Sequence, residues 1–168
     1  MLNVAELVNS RKLACETVGR YLLILEQTYI VRHVRPFSRN IRSELSKTPK
    51  VFFYDTGLMQ MLWLKRLQKE LLGSVFETSV FTEIVKRHGP DKVHYWRTPD
   101  KKEIDFVLSL PDAYLPVEAK LQFNRVLPVG LQAFAAAYRS YASPVPGYRL
   151  VGLDRQPAES GMIFPWQL

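Results

Sequence analysis

The sequence predicts a mixed α/β (α+β) protein built from two successive parts. Helix-periodic segments and short β-rich segments alternate along all 168 residues, and 47% of the residues are hydrophobic, which is enough for one core or two small ones. After residue 73 the segments follow the order α-β-β-β-α-β. Strands joined by short turns pair antiparallel, whereas a strand that returns after a helix can pair in parallel, so we expect a mixed central sheet.

Residues 1–72 form the first part, and their pattern is typical of a helix-turn-helix followed by a β-hairpin. Residues 3–10 read as a short helix, and "CETVGRYLLILEQTYI" has apolar residues at helical spacing. Two short helices separated by a few residues indicate a helix-turn-helix, although an ordinary helical hairpin has the same pattern. Two β segments follow, "IVRHVRPF" and "KVFFYDTGL", and a hairpin in that position would make this part a winged helix.

Residues 73–168 form the second part, and a connecting helix predicted over "LMQMLWLKRLQKELLG" leads into it. Its first element is the amphipathic helix "SVFETSVFTEIVKRHG", which ends at Gly89. The remaining elements, in chain order, are strands in "DKVHYWRTPD", "KKEIDFVLSL" and "YLPVEAKL", a helix in "PVGLQAFAAAYRSYA" and a strand in "GYRLVGL".

Basic residues are clustered in the first part of a chain whose net charge is +7. Between residues 31 and 50 there are six Arg or Lys and one acid. This clustering indicates an anionic partner, with DNA as the first candidate, because Lys and Arg neutralise phosphates. A solvated basic loop is the alternative. The residues that we predict to contact phosphates are Arg39, Arg42, Lys47 and Lys50.

Several classes of protein and of site are excluded by what the sequence lacks. No apolar run approaches the roughly 20 residues that span a bilayer, and there is no signal-peptide core, so we expect a soluble cytoplasmic protein without a membrane partner. The single cysteine excludes an internal disulfide and a cysteine-based zinc site. The three histidines lack metal-ligand spacing, and we interpret "DTGL" at residues 55–58 as a turn or a helix cap.

Three charged residues stand inside the two apolar strands of "KKEIDFVLSLPDAYLPVEAK". If the loop is centred on Pro111–Asp112, Asp105 faces Glu118 across the hairpin. Alternation then places Lys120 on the same face as Glu118 and turns the aliphatic residues to the other face. Paired carboxylates on neighbouring strands repel, and either a divalent cation or the lysine would remove that repulsion. Oxygen ligands of this kind suit Mg²⁺ or Mn²⁺.

The amphipathic helix that precedes these strands carries an acid on its apolar side. At about 100° per residue, Glu77 falls near the middle of the arc that the apolar side chains occupy. An acid in that position is costly unless it is paired or bound to a metal. We therefore expect Glu77 to meet Asp105, Glu118 or Lys120 where the helix packs on the sheet.

Glu77, Asp105 and the Glu118-x-Lys120 pair, on successive elements, resemble the signature of the PD-(D/E)XK restriction-endonuclease-like fold. The resemblance implies a catalytic set in which Glu77, Asp105 and Glu118 surround Mg²⁺ or Mn²⁺ and Lys120 is catalytic. In such a site the metal polarises the phosphate and lowers the pKa of bound water, while the lysine orients the water or stabilises developing charge. The alternative is a salt-bridged cluster of Lys120 with Glu118 or Glu77 in an inactive scaffold.

A wider resemblance covers nearly the whole chain. The segments "TVGRYLLILEQTYIVRHVRPFSRNIRSELSKTPKVFFYDTGLM", "FETSVFTEIVKR", "YWRTPDKKEIDFVL" and "PVEAK" are similar to the C-terminal region of a prokaryotic family of predicted AAA+ ATPases. In that family a P-loop ATPase precedes a winged-helix segment and a PD-(D/E)XK-like domain, which implies association with nucleic acid and with an ATPase domain or subunit. The chain has no G-x-x-x-x-G-K-[ST], so we expect no nucleotide site in it.

The sequence therefore supports two functional hypotheses. In the first, the chain is DNA-associated and has a Mg²⁺-dependent nuclease-like site that hydrolyses phosphodiesters. In the second, it is a catalytically inactive nuclease-fold module that binds DNA or another protein. Metal binding would favour the first hypothesis, and a closed Lys120 salt bridge without metal binding would favour the second.

Overall fold

A computed structural model describes residues 2–3, 15–37, 49–123, 126–138, 147–153 and 160–168. These residues form four α-helices and eight strands arranged as two sheets. The helices are α1 (Cys15–Gln27), α2 (Thr56–Leu64), α3 (Gly73–His88) and α4 (Val129–Ala137). The strands are β1 (Leu2–Asn3), β2 (Val31–Val34), β3 (Lys50–Phe53), β4 (Val93–Arg97), β5 (Glu103–Leu110), β6 (Ala113–Ala119), β7 (Arg149–Val151) and β8 (Met162–Ile163). Short 3-10 helices occupy Pro90–Lys92 and Pro165–Gln167.

The chain divides into two compact units, residues 1–82 and 83–168, and the division falls inside α3. In the first unit β1, β3 and β2 form a three-stranded antiparallel sheet, with Val31 opposite Phe53 and Val34 opposite Lys50. The predicted pairing of the two β segments is thus confirmed. Phe52 of the sheet stacks on Phe81 of α3 with ring centroids 4.8 Å apart, and both side chains are buried.

Helix α1 contacts β2 through partly buried polar interactions of the Glu26 side chain. The Glu26 carboxylate accepts hydrogen bonds from the backbone N–H of His33 at 3.1 Å and faces His33 Nδ1 at 2.7 Å, with an Arg32 guanidinium nitrogen 3.5 Å away. Burial alone would raise the pKa of Glu26. The hydrogen bonds from His33 and the charges of His33 and Arg32 outweigh it and lower that pKa.

Three predictions for the first part need correction. The start of the helix predicted over residues 3–10 is wrong, because Asn3 lies in β1. Residues 4–14 lie outside the described residues. The helix predicted through residue 30 ends at Gln27, because Tyr29 takes a left-handed backbone with φ 57°. The connecting helix, predicted over residues 58–73, is α2, which begins and ends earlier than predicted. Asp55 caps its N-terminus by accepting a hydrogen bond from the Leu58 N–H, and the left-handed backbone of Lys65, with φ 59°, ends it.

In the second unit the five strands form one mixed sheet in the order β4-β5-β6-β7-β8. Strands β4, β5 and β6 are antiparallel, whereas β7 returns after α4 and pairs with β6 in parallel. The predicted order α-β-β-β-α-β and the mixed sheet are therefore confirmed, and the parallel strand β8 was not predicted. The β5–β6 turn at Pro111–Asp112 is also confirmed.

Both faces of the middle of this sheet are covered. Phe106, Val107 and Leu108 of β5 are buried in succession, as expected where a strand has packing on both sides. Helix α4 reaches the start of β5 at Gly130, where an added Cβ would stand 1.9 Å from the carbonyl oxygen of Glu103. Only glycine permits this approach of helix to strand. In the part of the chain that the structure describes, no helix is both long enough and apolar enough to cross a bilayer.

Candidate active site

The predicted hairpin register is confirmed, and it brings Asp105 and Glu118 together. Cα pairing of β5 with β6 runs from Leu110 opposite Ala113 to Phe106 opposite Val117. Continued by one residue, this register sets Asp105 opposite Glu118, as the sequence predicts. At that point the carboxylates themselves bridge the strands, since Asp105 Oδ2 accepts from the Ala119 N–H at 2.9 Å and Glu118 Oε2 accepts from the Asp105 N–H at 3.4 Å.

A bulge in β5 accompanies this arrangement on the side that faces β4. His94 is opposite Val107 and Trp96 is opposite Ile104, so β5 uses three residue steps where β4 uses two. The extra residue of β5 falls at Asp105 or the residue that follows it. A bulge of this kind re-aims a side chain and increases the local twist, and bulges are common next to functional sites.

Glu118 is the most buried charged residue of the group, with 6% of its surface exposed. Burial raises the pKa of its carboxyl group, and the nearby charge of Asp105 raises it further. A hydrogen bond and the charge of Lys120, together with the Asp105 N–H, act in the opposite direction without cancelling the rise. The carboxylate pair is thus destabilised in its doubly ionised form and would gain from a nearby cation.

Lys120 supplies a positive charge at the end of β6. Its Nζ lies 2.7 Å from Glu118 Oε1, while 45% of the lysine side chain remains exposed to solvent. Its backbone N–H donates to the carbonyl of Val151 at 2.9 Å, so the main chain is held by β7 while the side chain reaches solvent. This ion pair is the closed salt bridge that the second functional hypothesis requires.

Glu77, the fourth residue predicted for the site, lies in the first unit. There its Oε1 is 3.9 Å from Nζ of Lys50, and the two side chains are 20% and 5% exposed. Lys50 was predicted to contact phosphates, yet its side chain at the start of β3 is buried. The other three predicted phosphate contacts, Arg39, Arg42 and Lys47, lie outside the described residues.

The chemistry of the donor set can be tested against the Mg²⁺ or Mn²⁺ ion that the resemblance implies. Among the described residues, no three side chains of His, Cys, Asp or Glu are grouped so that they could hold a metal ion. Asp105 and Glu118 together provide two carboxylates. Mg²⁺ is commonly bound by one or two carboxylates, with waters and substrate phosphates filling the other positions, so this pair fits such an ion.

Two contacts of the residues predicted for the site were not themselves predicted. The backbone N–H groups of Asp105 and Ala119 hold the carboxylates, which the register and the inward direction of these side chains could have indicated. The second is the pairing of Glu77 with Lys50. The sequence indicates it only weakly, through the position of Lys50 directly before the apolar segment "VFF".

Comparison with known proteins gives relatives without an assigned function. An uncharacterized protein of Mycobacterium tuberculosis and one of Mycobacterium bovis are each 33% identical to the chain over 113 residues, which is 63% of this chain. The matched stretch spans 25% of the length of each relative. A search of the solved structures gave no match.

Two family descriptions match successive parts of the chain. Residues 1–70 match a domain of unknown function, DUF8612. Residues 72–168, more than half of the chain, match a second domain of unknown function, DUF4143. With its mixed sheet and the paired carboxylates of the β5–β6 hairpin inside the matched range, the chain belongs to the DUF4143 family.

Proposed function

We propose that this chain is a DNA-associated protein with a Mg²⁺-dependent, nuclease-like site for phosphodiester hydrolysis. One observation carries the proposal: Asp105 and Glu118 bridge the end of the β5–β6 pair, with the Lys120 ammonium group 2.7 Å from Glu118. Two carboxylates beside a lysine that reaches solvent are the residue types that metal-assisted phosphoryl chemistry uses.

The proposed roles follow from how each side chain is held. Asp105 and Glu118 would hold the cation, and when bound it would polarise a phosphate oxygen and lower the pKa of a water molecule. The N–H groups of Ala119 and Asp105 keep the carboxylates in place, so little reorganisation is needed. Lys120 reaches solvent from an anchored backbone and would turn from Glu118 to a phosphate oxygen or to the attacking water.

The element order supports the same proposal at the level of the fold. Residues 73–168 have the α-β-β-β-α-β order and mixed sheet expected of a PD-(D/E)XK-like domain, with the acids on the second and third strands. In the first unit, α1 precedes the antiparallel strands β2 and β3, as a helix and wing strands would in the proposed winged helix. By resemblance to the AAA+ family, we propose an ATPase domain or subunit as a partner.

The test is cleavage of supercoiled, linear and single-stranded DNA in Mg²⁺ or Mn²⁺ by the wild type and matched variants. We expect Asp105→Asn and Lys120→Ala to lower the cleavage rate by at least 100-fold, the usual order for a positioned catalytic group. Asp112→Asn, in the exposed turn of the same hairpin, is the control and should keep the wild-type rate. Equal residual cleavage in all four proteins would identify a contaminant and reject the nuclease.

The Lys120–Glu118 ion pair favours a second candidate, an inactive module that binds DNA or protein. In that case the lysine is the permanent counter-ion of the carboxylate pair. Calorimetric titration with Mn²⁺ separates the two candidates. Binding that Asp105→Asn abolishes supports the metal site, whereas no binding by the folded wild type, together with DNA affinity that Mn²⁺ does not change, supports the inactive module.

A further inference from the structure

Helix α2 exposes an apolar face that the nuclease proposal does not use. Its sequence, TGLMQMLWL, contains no charged residue, and Met59 is its one buried side chain. Leu58, Met61 and Leu62 are 37%, 49% and 52% exposed, and the adjacent Trp63 is 53% exposed. Single exposed apolar residues are ordinary on a protein surface, but a contiguous set on one element marks an interaction surface.

The spacing places three of these side chains on one side of the helix. Residues three and four positions apart are neighbours on a helix surface, so Leu58, Met61 and Leu62 form one stripe. The helix is fixed at both ends, by the Asp55 cap and by the left-handed backbone of Lys65. The stripe is therefore a preformed surface of a little more than one turn, on which one or two apolar anchors of an amphipathic helix can pack.

The charges next to this stripe indicate the chemistry of its partner. Lys65 and Arg66 follow α2 directly, and both are exposed. Because both side chains are exposed, a partner can reach their charges. A second copy of a chain with net charge +7 would bring like charges together here, whereas an acidic partner would be attracted.

We propose that the surface formed by Leu58, Met61, Leu62 and Trp63, with Lys65 and Arg66 at its end, binds an acidic amphipathic helix of another protein. The partner would lay its leucine-type side chains on the stripe and set Asp or Glu beside Lys65 and Arg66. Burial of the apolar stripe supplies affinity, and the charges fix the direction of the partner helix. This interaction does not depend on the nuclease proposal.

The test uses two labelled helical peptides whose leucines stand at positions i, i+3, i+4 and i+7. One has Glu at the flanking positions and the other has Lys. Fluorescence anisotropy should show at least tenfold tighter binding of the Glu peptide, and the preference should weaken with salt. Lys65→Glu with Arg66→Glu should reverse the preference, whereas Lys92→Glu with Lys101→Glu, an equal charge change in the second unit, should not.

A second pair of matched double variants tests the contribution of the apolar side chains to peptide binding. Leu58→Ser with Leu62→Ser should weaken binding of the Glu peptide at least tenfold. Leu23→Ser with Ile24→Ser, two residues of α1 that are 53% exposed, should leave it unchanged. These substitutions are at exposed positions, so the fold should persist, and circular dichroism checks this.

Three outcomes would overturn the proposal. The first is a peptide preference that Lys65→Glu with Arg66→Glu does not alter. The second is a dimer in sedimentation equilibrium that Leu58→Ser with Leu62→Ser converts to a monomer, since the occupant would then be a second copy. The third is binding to phosphatidylserine vesicles that the same leucine substitutions abolish, since the surface would then meet a membrane.

Discussion

At the scale of single residues, Glu118 is the group of the candidate site at which burial and charge repulsion oppose hydrogen bonding and ion pairing. It is buried, it faces another carboxylate, and it is held by one exposed lysine and one backbone N–H. A buried charge in such a setting is retained at a cost to stability, because burial and the charge of Asp105 both disfavour the ionised carboxylate. The ionised form of Glu118 is thus one that the fold tolerates poorly.

This conflict predicts that Glu118→Gln stabilises the chain at pH 8. The folded pKa of Glu118 is raised above 4.5, so the folded chain keeps its proton at higher pH than the unfolded chain. The free energy of unfolding of the wild type therefore falls as pH rises from 4.5 through the folded pKa, and Gln removes this loss. We therefore expect Glu118→Gln to have a higher free energy of unfolding than the wild type at pH 8.

Thermal unfolding from pH 8 down to pH 4.5 measures this effect. The difference in midpoint between Glu118→Gln and the wild type should shrink as pH falls, because the wild-type carboxyl becomes protonated. Asp112→Asn, in the exposed turn, should show no such pH-dependent difference. A variant that is less stable than the wild type at pH 8 would mean that the Lys120 pair outweighs the cost of burial.

At the scale of elements, the contact between α4 and β5 depends on the absence of one side chain. A Cβ at Gly130 would overlap the Glu103 carbonyl, whereas a Cβ at Gly19 in α1 would meet no described atom within 4 Å. Both glycines lie in helices, so helix propensity alone favours alanine at each by roughly 0.5–1 kcal/mol. The two positions therefore separate packing from propensity.

We predict opposite effects for the two alanine substitutions. Gly130→Ala should destabilise the chain by about 2 kcal/mol or more, because α4 must move away from the strand that carries Asp105. Gly19→Ala should stabilise it by about 0.5 kcal/mol or more. Chemical denaturation of both variants beside the wild type provides the measurement, and stabilisation by Gly130→Ala would contradict the close approach.

The predictable and unpredictable parts of the fold differ in where their causes lie. Local pattern was sufficient for the turn at Pro111–Asp112 and the facing of Asp105 and Glu118, because alternation and a short loop fix a register. The bulge in β5 was not predictable, because it depends on β4 as well as β6. Lys50 was placed on the surface because a basic run looks solvated, and only packing shows that it lies beside Glu77.

At the scale of the whole molecule, net charge is the property that bears on partners. The chain carries 23 Lys or Arg against 16 Asp or Glu, and part of the excess is concentrated between residues 31 and 50. With Lys50 buried, the remaining phosphate contacts predicted from this cluster are Arg39, Arg42 and Lys47. A nucleic-acid partner would release counterions on binding such a cluster.

We therefore predict that Arg39→Glu with Arg42→Glu weakens binding to duplex DNA and lowers its salt dependence. Each lost phosphate contact should reduce the slope of log affinity against log salt concentration by about 0.9. Lys69→Glu with Lys92→Glu changes the net charge equally at exposed positions outside the cluster and should keep the slope. Titrations at several salt concentrations measure this, and equal slopes for the two double variants would remove the cluster from the DNA-binding surface.

The sheet of the second unit has a further consequence for association between copies. Its outer strands are β4 and β8: β8 has two residues, and β4 pairs with a neighbour that is bulged. An intruding strand needs a long, regular row of unpaired N–H and C=O groups, and protein sheets avoid unwanted fibrils by shortening or twisting such rows. The bulge in β5 increases the local twist where β4 pairs with it, which makes that border of the sheet a poorer template for aggregation.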